Sequence, residues 1–301
     1  MSLTVTIVSM DTIYISIILG LVGLVFGSFA GAQVWRLRAR QLANDKQAHE
    51  PYDKHEYQRL AALVGQKGTA DRSQCLHCHH QLRWYDLLPL VSWMSTKGTC
   101  RYCHHRIGFF EPLIEAGMAI FFVVSFIYWP FPLESTLAIV QFGLWLVAGV
   151  MLAILFAYDA KWFLLPDIIV FPLVGVAAGY SVIAILSQPD IAGTLLSTGE
   201  AILILAGLYL ALWLISKGQW IGFGDVKLGL VLGLLVGTWQ LAFLTLFLAN
   251  LIGCLIVLPG LITKKLSRTT QVPFGPMLIA ACFIAVLWGD TIINWYLAAF
   301  L

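Results

Sequence analysis

The 301-residue sequence predicts an all-α polytopic membrane protein with about eight transmembrane helices, its N terminus outside, and one large hydrophilic loop between the first and second helices. Three observations predict it. Hydrophobic residues make up 59% of the chain and charged residues only 11%, with a mean hydropathy of +0.84, whereas a soluble domain carries roughly 25% charged residues. Eight apolar segments recur, at residues 13–35, 113–130, 135–157, 163–187, 194–216, 226–238, 240–262 and 277–299. Most reach the roughly 20 residues a helix needs to cross a bilayer. The third observation is the placement of Lys and Arg. Of the 18, twelve lie between Arg36 and Arg106, and the others are Lys161, Lys217, Lys227, Lys264, Lys265 and Arg268. Eight spans with an outside N terminus put all of them on the cytoplasmic side, as basic residues prefer.

Element by element, residues 1–35 hold the first transmembrane helix. It has no Lys or Arg before it, is too long for a signal-peptide core and lacks a clear cleavage site, so it is expected to be retained. Residues 36–112 form the cytoplasmic loop, and 113–301 the membrane core. Within the loop, Arg36–Ser73 is polar, contains Pro51, Gly65 and Gly68, and shows little apolar periodicity; it reads as an amphipathic or partly disordered connector. The sixth segment, opening at Asp225, is short enough to be a partial span. No feature of the sequence sets an oligomeric state, and no nucleic-acid partner is expected; the lipid bilayer is.

The rest of the loop, 74–106, carries Cys75-x-x-Cys78 and Cys100-x-x-Cys103 around the run Arg83-Trp84-Tyr85-Asp86-Leu87-Leu88-Pro89. Two such pairs match a four-thiolate zinc site, because each turn offers two sulfurs to one edge of a tetrahedron. The alternative is two disulfides, which a cytoplasmic loop disfavours. Four thiolates close the coordination shell, so the zinc is expected to be structural, with His77, His79, His80, His104 and His105 as bystanders or outer partners. Cys254 and Cys282 lie in apolar segments and read as small core residues.

Two carboxylates stand where a charge is costly. Asp159 ends the apolar run Val150–Tyr158 and meets the negative end of its helix. Asp225 follows Gly222-Phe223-Gly224 and opens the next helix; it either caps that helix or works with Asp159. The charge pattern puts both at one membrane boundary. A carboxylate pair that shares a proton can draw a proton from water and polarise a carbonyl. Gly222 and Gly224 would permit close backbone approach and unusual dihedrals. Asp167 after Pro166 has a structural reason as a helix N-terminal acid, and Lys161 and Lys227 read as interface anchors. Asp86, Glu111 and Glu115 are expected in support roles.

These blocks, in order over about residues 20–290, resemble the type IV prepilin peptidases, bacterial aspartic membrane proteases. The resemblance rests on Gly27-Ser28-Phe29, the paired Cys-x-x-Cys around Trp84-Tyr85-Asp86, Glu111-Pro112-Leu113-Ile114-Glu115, Asp159 with Leu165-Pro166-Asp167, Gly222-Phe223-Gly224-Asp225, and Pro273-Phe274-Gly275-Pro276. It implies Asp159 and Asp225 as catalytic residues, supported by Gly222, Gly224, Asp167 and Lys227. It further implies prepilin or pseudopilin substrates cut after a Gly at the cytoplasmic face of a bacterial inner membrane. Many members also methylate the new N terminus with S-adenosylmethionine. The family continues Gly-Ser-Phe with Leu-Asn-Val-Val, and here the chain reads Ala30-Gly31-Ala32-Gln33, a departure that bears on the loop and on methylation. An ion-coupled transporter using Asp159 and Asp225 is the alternative, but it calls for midplane carboxylates and inverted repeats.

Overall fold

The computed structural model describes residues 10–64, 72–263 and 272–300. Gly65, Lys67 and Gly68 of the connector, and the basic residues Lys264, Lys265 and Arg268, lie outside the described residues. Each of the eight apolar segments is a helix. Two compact units divide the chain, Met1–Ile127 and Tyr128–Leu301.

In the first unit, α1 spans Met10–Gln47 and α4 spans Phe110–Ile127. They pack along the spacing Gly23-x-x-x-Gly27, where small residues let two helix backbones touch. A Cβ at Gly27 would stand 2.6 Å from the Glu115 Cα, and one at Gly23 would stand 2.7 Å from the Met118 carbonyl oxygen. Helix α1 runs to Gln47 rather than stopping near residue 35. Its extension, rich in Leu, Ala, Arg and Gln, lacks Gly and Pro and so favours helix. Tertiary packing then holds it: Ala39 and Leu42 bury against Leu60 of α2 (Lys54–Leu60), with Trp35, Tyr52 and Tyr57 around them. Asp53 caps α2, accepting from the backbone N–H groups of His55 and Glu56, and Arg38 pairs with Glu56 at 2.6 Å. The connector is therefore ordered over much of its length. Between α2 and α4 lie a tight turn at Trp84–Leu87 and the short helix α3, Val91–Ser95.

The second unit holds α5 (Thr136–Trp162), α6 (Asp167–Leu186), α7 (Ile191–Ile202), α8 (Leu208–Ser216), α9 (Phe223–Val236), α10 (Trp239–Ile262) and α11 (Gly275–Phe300). Helices α7 and α8 form one continuous rod, joined by a π turn at Leu203–Gly207. Seven helices among the described residues are long and apolar enough to cross a membrane. The exception is α9, at 14 residues about 21 Å long against a hydrocarbon core of about 30 Å. It need not span, because α6, the α7–α8 rod and α11 surround it. Burial takes in Val226, Leu228, Val231, Leu232, Leu235 and Val236, nearly the whole circumference. Glycines make that possible. A Cβ at Gly229 would meet the Leu205 carbonyl oxygen at 2.7 Å, within the π turn, and one at Gly233 the Ile202 Cα at 2.7 Å.

Candidate active site and candidate metal centre

Helix α5 stops at Phe163, whose left-handed conformation (φ 57°) returns its N–H to the Asp159 carbonyl at 2.9 Å. Asp159 therefore sits in the last helical turn, with only 6% of its surface exposed. Its own helix presents a negative end there. The compensation comes from elsewhere: the Gly275 N–H, at the first residue of α11, donates to Asp159 Oδ2 at 3.1 Å. That N–H is one of the orphan donors of a helix start, at the positive end of α11. Any larger residue would have to displace that carboxylate, since a Cβ on Gly275 would lie 2.7 Å from the same oxygen.

Asp225 is the third residue of α9, bonded through its carboxylate to the Gly222 backbone. The N-cap position of α9 is Gly222, with no side-chain cap bond, so Asp225 is an acid of the first turn rather than the cap. The carboxylate also interacts electrostatically with Asp159 across the unit and with the buried Tyr209 of α8. In space, a Cβ at Gly275 would meet both Asp159 Oδ2 at 2.7 Å and Leu228, one turn beyond Asp225 on α9, at 3.6 Å, so the end of α5 and the start of α9 converge on the start of α11. The glycines act by space rather than by dihedral freedom: Gly222 is extended at φ −73° and Gly224 is helical. A Cβ at Gly224 would press on Leu165 at 3.2 Å, so its absence lets the Leu165-Pro166 corner close on the start of α9.

Asp167 opens α6, exposed, and pairs with Lys227 at 2.5 Å, tying the starts of α6 and α9 together. The Lys227 ammonium also sits over the rings of Phe171 and Phe223, at 5.2 and 5.4 Å. Lys227 is thus a link between helices as well as a residue suited to an interface. Sequence reasoning assigned no role to Gly275 or Tyr209. For Gly275 a signal existed in Gly-Pro opening the last apolar segment; for Tyr209 there was none.

In the loop, Cys75, Cys78, Cys100 and Cys103 have free thiols whose sulfurs all lie within 4.8 Å of one another. Cys75 and Cys103 Sγ are 3.9 Å apart, close to the ~3.8 Å edge of a tetrahedron with metal–sulfur bonds of about 2.3 Å. The two pairs are built alike, each Cys-x-x-Cys-His-His. The first Cys accepts from the following His79 or His104 N–H at 2.9 Å. It donates its own N–H to the His80 or His105 carbonyl at 3.0 or 2.8 Å. Both His79 and His104 are left-handed, at φ 56° and 54°. These turns fit a four-thiolate metal site. Three of the histidine rings meet other rings: His77 stacks on His105 at 4.0 Å, and His80 lies tilted against Tyr102 at 3.7 Å. Asp86 braces the second turn, accepting from Arg101 at 2.9 Å, Tyr102 at 2.8 Å and the Arg83 N–H at 3.1 Å. Burial works against its charge, but the bonds from Arg101 and Tyr102 outweigh it and hold the carboxyl below the ordinary carboxylate range.

Of the acids on α4, Glu111 accepts from the Trp35 indole at 3.0 Å and the buried Glu115 from the Leu90 N–H at 2.8 Å.

Residues 21–129 match the model of the bacterial peptidase A24 N-terminal domain, and residues 146–258 that of the type IV leader peptidase family. Proteins named prepilin leader peptidase/N-methyltransferase are similar over most of the chain. The one from Pseudomonas putida is 30% identical over 302 residues, covering 95% of each chain. The Pseudomonas aeruginosa protein is 31% identical, covering 92% of this chain and 91% of its own. That of Bacillus subtilis is 32% identical over 231 residues, 76% of this chain and 86% of its own. No solved structure matches.

Proposed function

The chain belongs to the type IV leader peptidase family, and from that premise we propose that it is an aspartic endopeptidase that removes the leader from type IV prepilins or pseudopilins, with Asp159 and Asp225 as its catalytic pair. The observation that supports the proposal is the convergence of the end of α5, which carries Asp159, and the start of α9, which carries Asp225, on the first residue of α11. Two such groups do not both ionise easily, so one is available to take a proton from water while the other holds one for the scissile carbonyl. The Gly275 N–H occupies Oδ2 of Asp159 and so leaves Oδ1 for the water or the carbonyl. Asp167 and Lys227 hold the starts of α6 and α9 in place; Gly222 and Gly224 keep side chains away from the approach to Asp225.

The substrate is the junction between a basic leader and an apolar helix, cut after a Gly at the cytoplasmic face of the inner membrane. That geometry suits carboxylates at a helix boundary. Zinc on Cys75, Cys78, Cys100 and Cys103 would have a structural role, cross-linking a loop segment too short to build its own core. The names of the relatives support a second activity, N-methylation of the new N terminus, for which S-adenosylmethionine would supply the methyl group.

The test is cleavage of a prepilin in membranes by the wild type and by Asp159→Asn, Asp225→Asn and Asp167→Asn. The first two variants should lose activity by a factor of about 10³ or more, as removal of a member of a catalytic unit does. Asp167→Asn should retain it. Cleavage by Asp225→Asn would end the aspartic mechanism and favour the transporter.

A further inference from the structure

The loop carries an apolar surface that neither the metal site nor the carboxylate pair uses. Between Arg83 and Lys97 the chain reads Trp-Tyr-Asp-Leu-Leu-Pro-Leu-Val-Ser-Trp-Met-Ser-Thr, with no basic residue. Trp84 is 75% exposed, Val91 60% and Met94 70%, and Leu87 and Leu88 are exposed too. We infer that Trp84–Ser95 is an interfacial wedge that inserts into the lipid bilayer beside α4.

Three independent features point to lipid. The first is depth. Helix α4 has 18 residues, about 27 Å, which is hardly enough for a core of about 30 Å, so its whole length is needed to span. Glu115 lies five residues into it, about 7 Å below the start. The Leu90 N–H donates to the Glu115 carboxylate at 2.8 Å, which ties α3 to the first turns of α4, since a helical side chain leans towards its helix start. Leu90 adopts a left-handed conformation (φ 56°), uncommon for a bulky residue, and the Glu115 bond accompanies it. The second feature is continuity. Leu113 and Ile120 of α4, with Phe109 just before its first residue, line one side, each more than 60% exposed, as a lipid-facing helix presents. Trp93 packs on Phe109 at 5.2 Å between centroids, which joins α3 to that side.

The third is hydrogen-bond closure. Backbone polar groups in a lipid-exposed segment must be satisfied internally. Here the Ser92 N–H bonds the Leu88 carbonyl, Met94 that of Leu90, and Thr96 that of Ser92. The Ser95 and Thr96 hydroxyls bond the Ser92 carbonyl as well, and the Trp93 indole N–H bonds the Gly108 carbonyl. Asp86, the one charge inside the stretch, is consumed by Arg101 and Tyr102. Arg83 and Lys97 flank the wedge where phosphate headgroups lie, and Trp84 suits the same level.

The experiment places a fluorescent amino acid at position 94, and separately at 91, of the full-length protein in phosphatidylcholine liposomes. Quenching is read with aqueous iodide and with doxyl-labelled lipid. Position 113 is the lipid-facing control and position 54, at the start of α2, the aqueous one. Positions 94 and 91 should quench with doxyl lipid as 113 does, and their iodide quenching should fall about threefold or more below that of 54, as for a face buried at the acyl boundary. Iodide quenching equal to that at 54 would overturn the inference in favour of a free surface. Shielding from both quenchers would overturn it in favour of a protein partner.

Discussion

Gly275 carries the sharpest expectation at the scale of one residue. Its N–H holds Asp159 and its missing side chain leaves room for the same oxygen. Gly275→Ala must displace the carboxylate, since the obstacle to the new Cβ is Oδ2 itself. An ångström-scale misplacement of a reacting group costs up to about 100-fold in rate, so prepilin cleavage should fall by about 10- to 100-fold while the thermal midpoint in detergent changes little. Unchanged cleavage would remove Gly275 from the site. The necessity of this residue was half legible. Asp159 was conspicuous in the sequence because its own helix end disfavours it, and the relief comes from a residue 116 positions away. Asp86 is the corresponding case in the loop. With its carboxyl held low by Arg101 and Tyr102, its contribution is present above the ordinary carboxylate pKa and is lost as pH falls through the lower, folded value. Asp86→Asn should therefore destabilise the metal loop by about 1–3 kcal/mol, the cost of a lost charge-assisted hydrogen bond. The loss should be constant between about pH 5 and 8. Zinc release to a chelator, followed across that range in both proteins, checks it.

At the scale of elements, α9 was the ambiguous segment of the sequence, too short to span and wholly apolar beyond Lys227. Hydropathy cannot tell a short spanning helix from one buried inside protein, because both lack polar residues. Gly229 and Gly233 decide it, by letting backbone pass backbone at the π turn. Gly233→Leu should force α9 away from α7, costing about 1–3 kcal/mol as overpacking does, and cleavage should fall with it because Asp225 rides on the same helix. A thermal melt alongside the cleavage assay separates the two effects. The long α1 was missed for the opposite reason. Beyond Trp35 its sequence is polar, and the apolar contacts of Leu42 with Leu60 are made only when α2 folds back.

For the whole molecule, the division of labour follows the two units. The four cysteines belong to the first and both candidate carboxylates to the second. Cys75→Ser with Cys100→Ser should abolish bound zinc, measured by elemental analysis of the purified protein. Peptidase activity should stay within about tenfold of wild type, because removing a structural metal unfolds the segment it cross-links and neither Asp159 nor Asp225 lies in that segment. Loss of cleavage equal to that of Asp225→Asn would make the metal part of the catalytic apparatus.

The sequence by itself determined the class of molecule: the helices, through runs of apolar residues long enough for a bilayer, and the candidate metal cluster, through two turns whose spacing offers four sulfurs. These are local properties, set by composition and by a few adjacent dihedrals. Tertiary structure decided what depends on distant chain segments. It supplied the α11 N–H that offsets the unfavourable helix end at Asp159, and the Lys227 that takes up Asp167. It also buried a short helix on glycines and tied the loop's apolar face to α4 through the Leu90–Glu115 bond. Hydrogen bonds and backbone clashes act over a few ångströms, so a chain reveals them only after folding has brought their partners together.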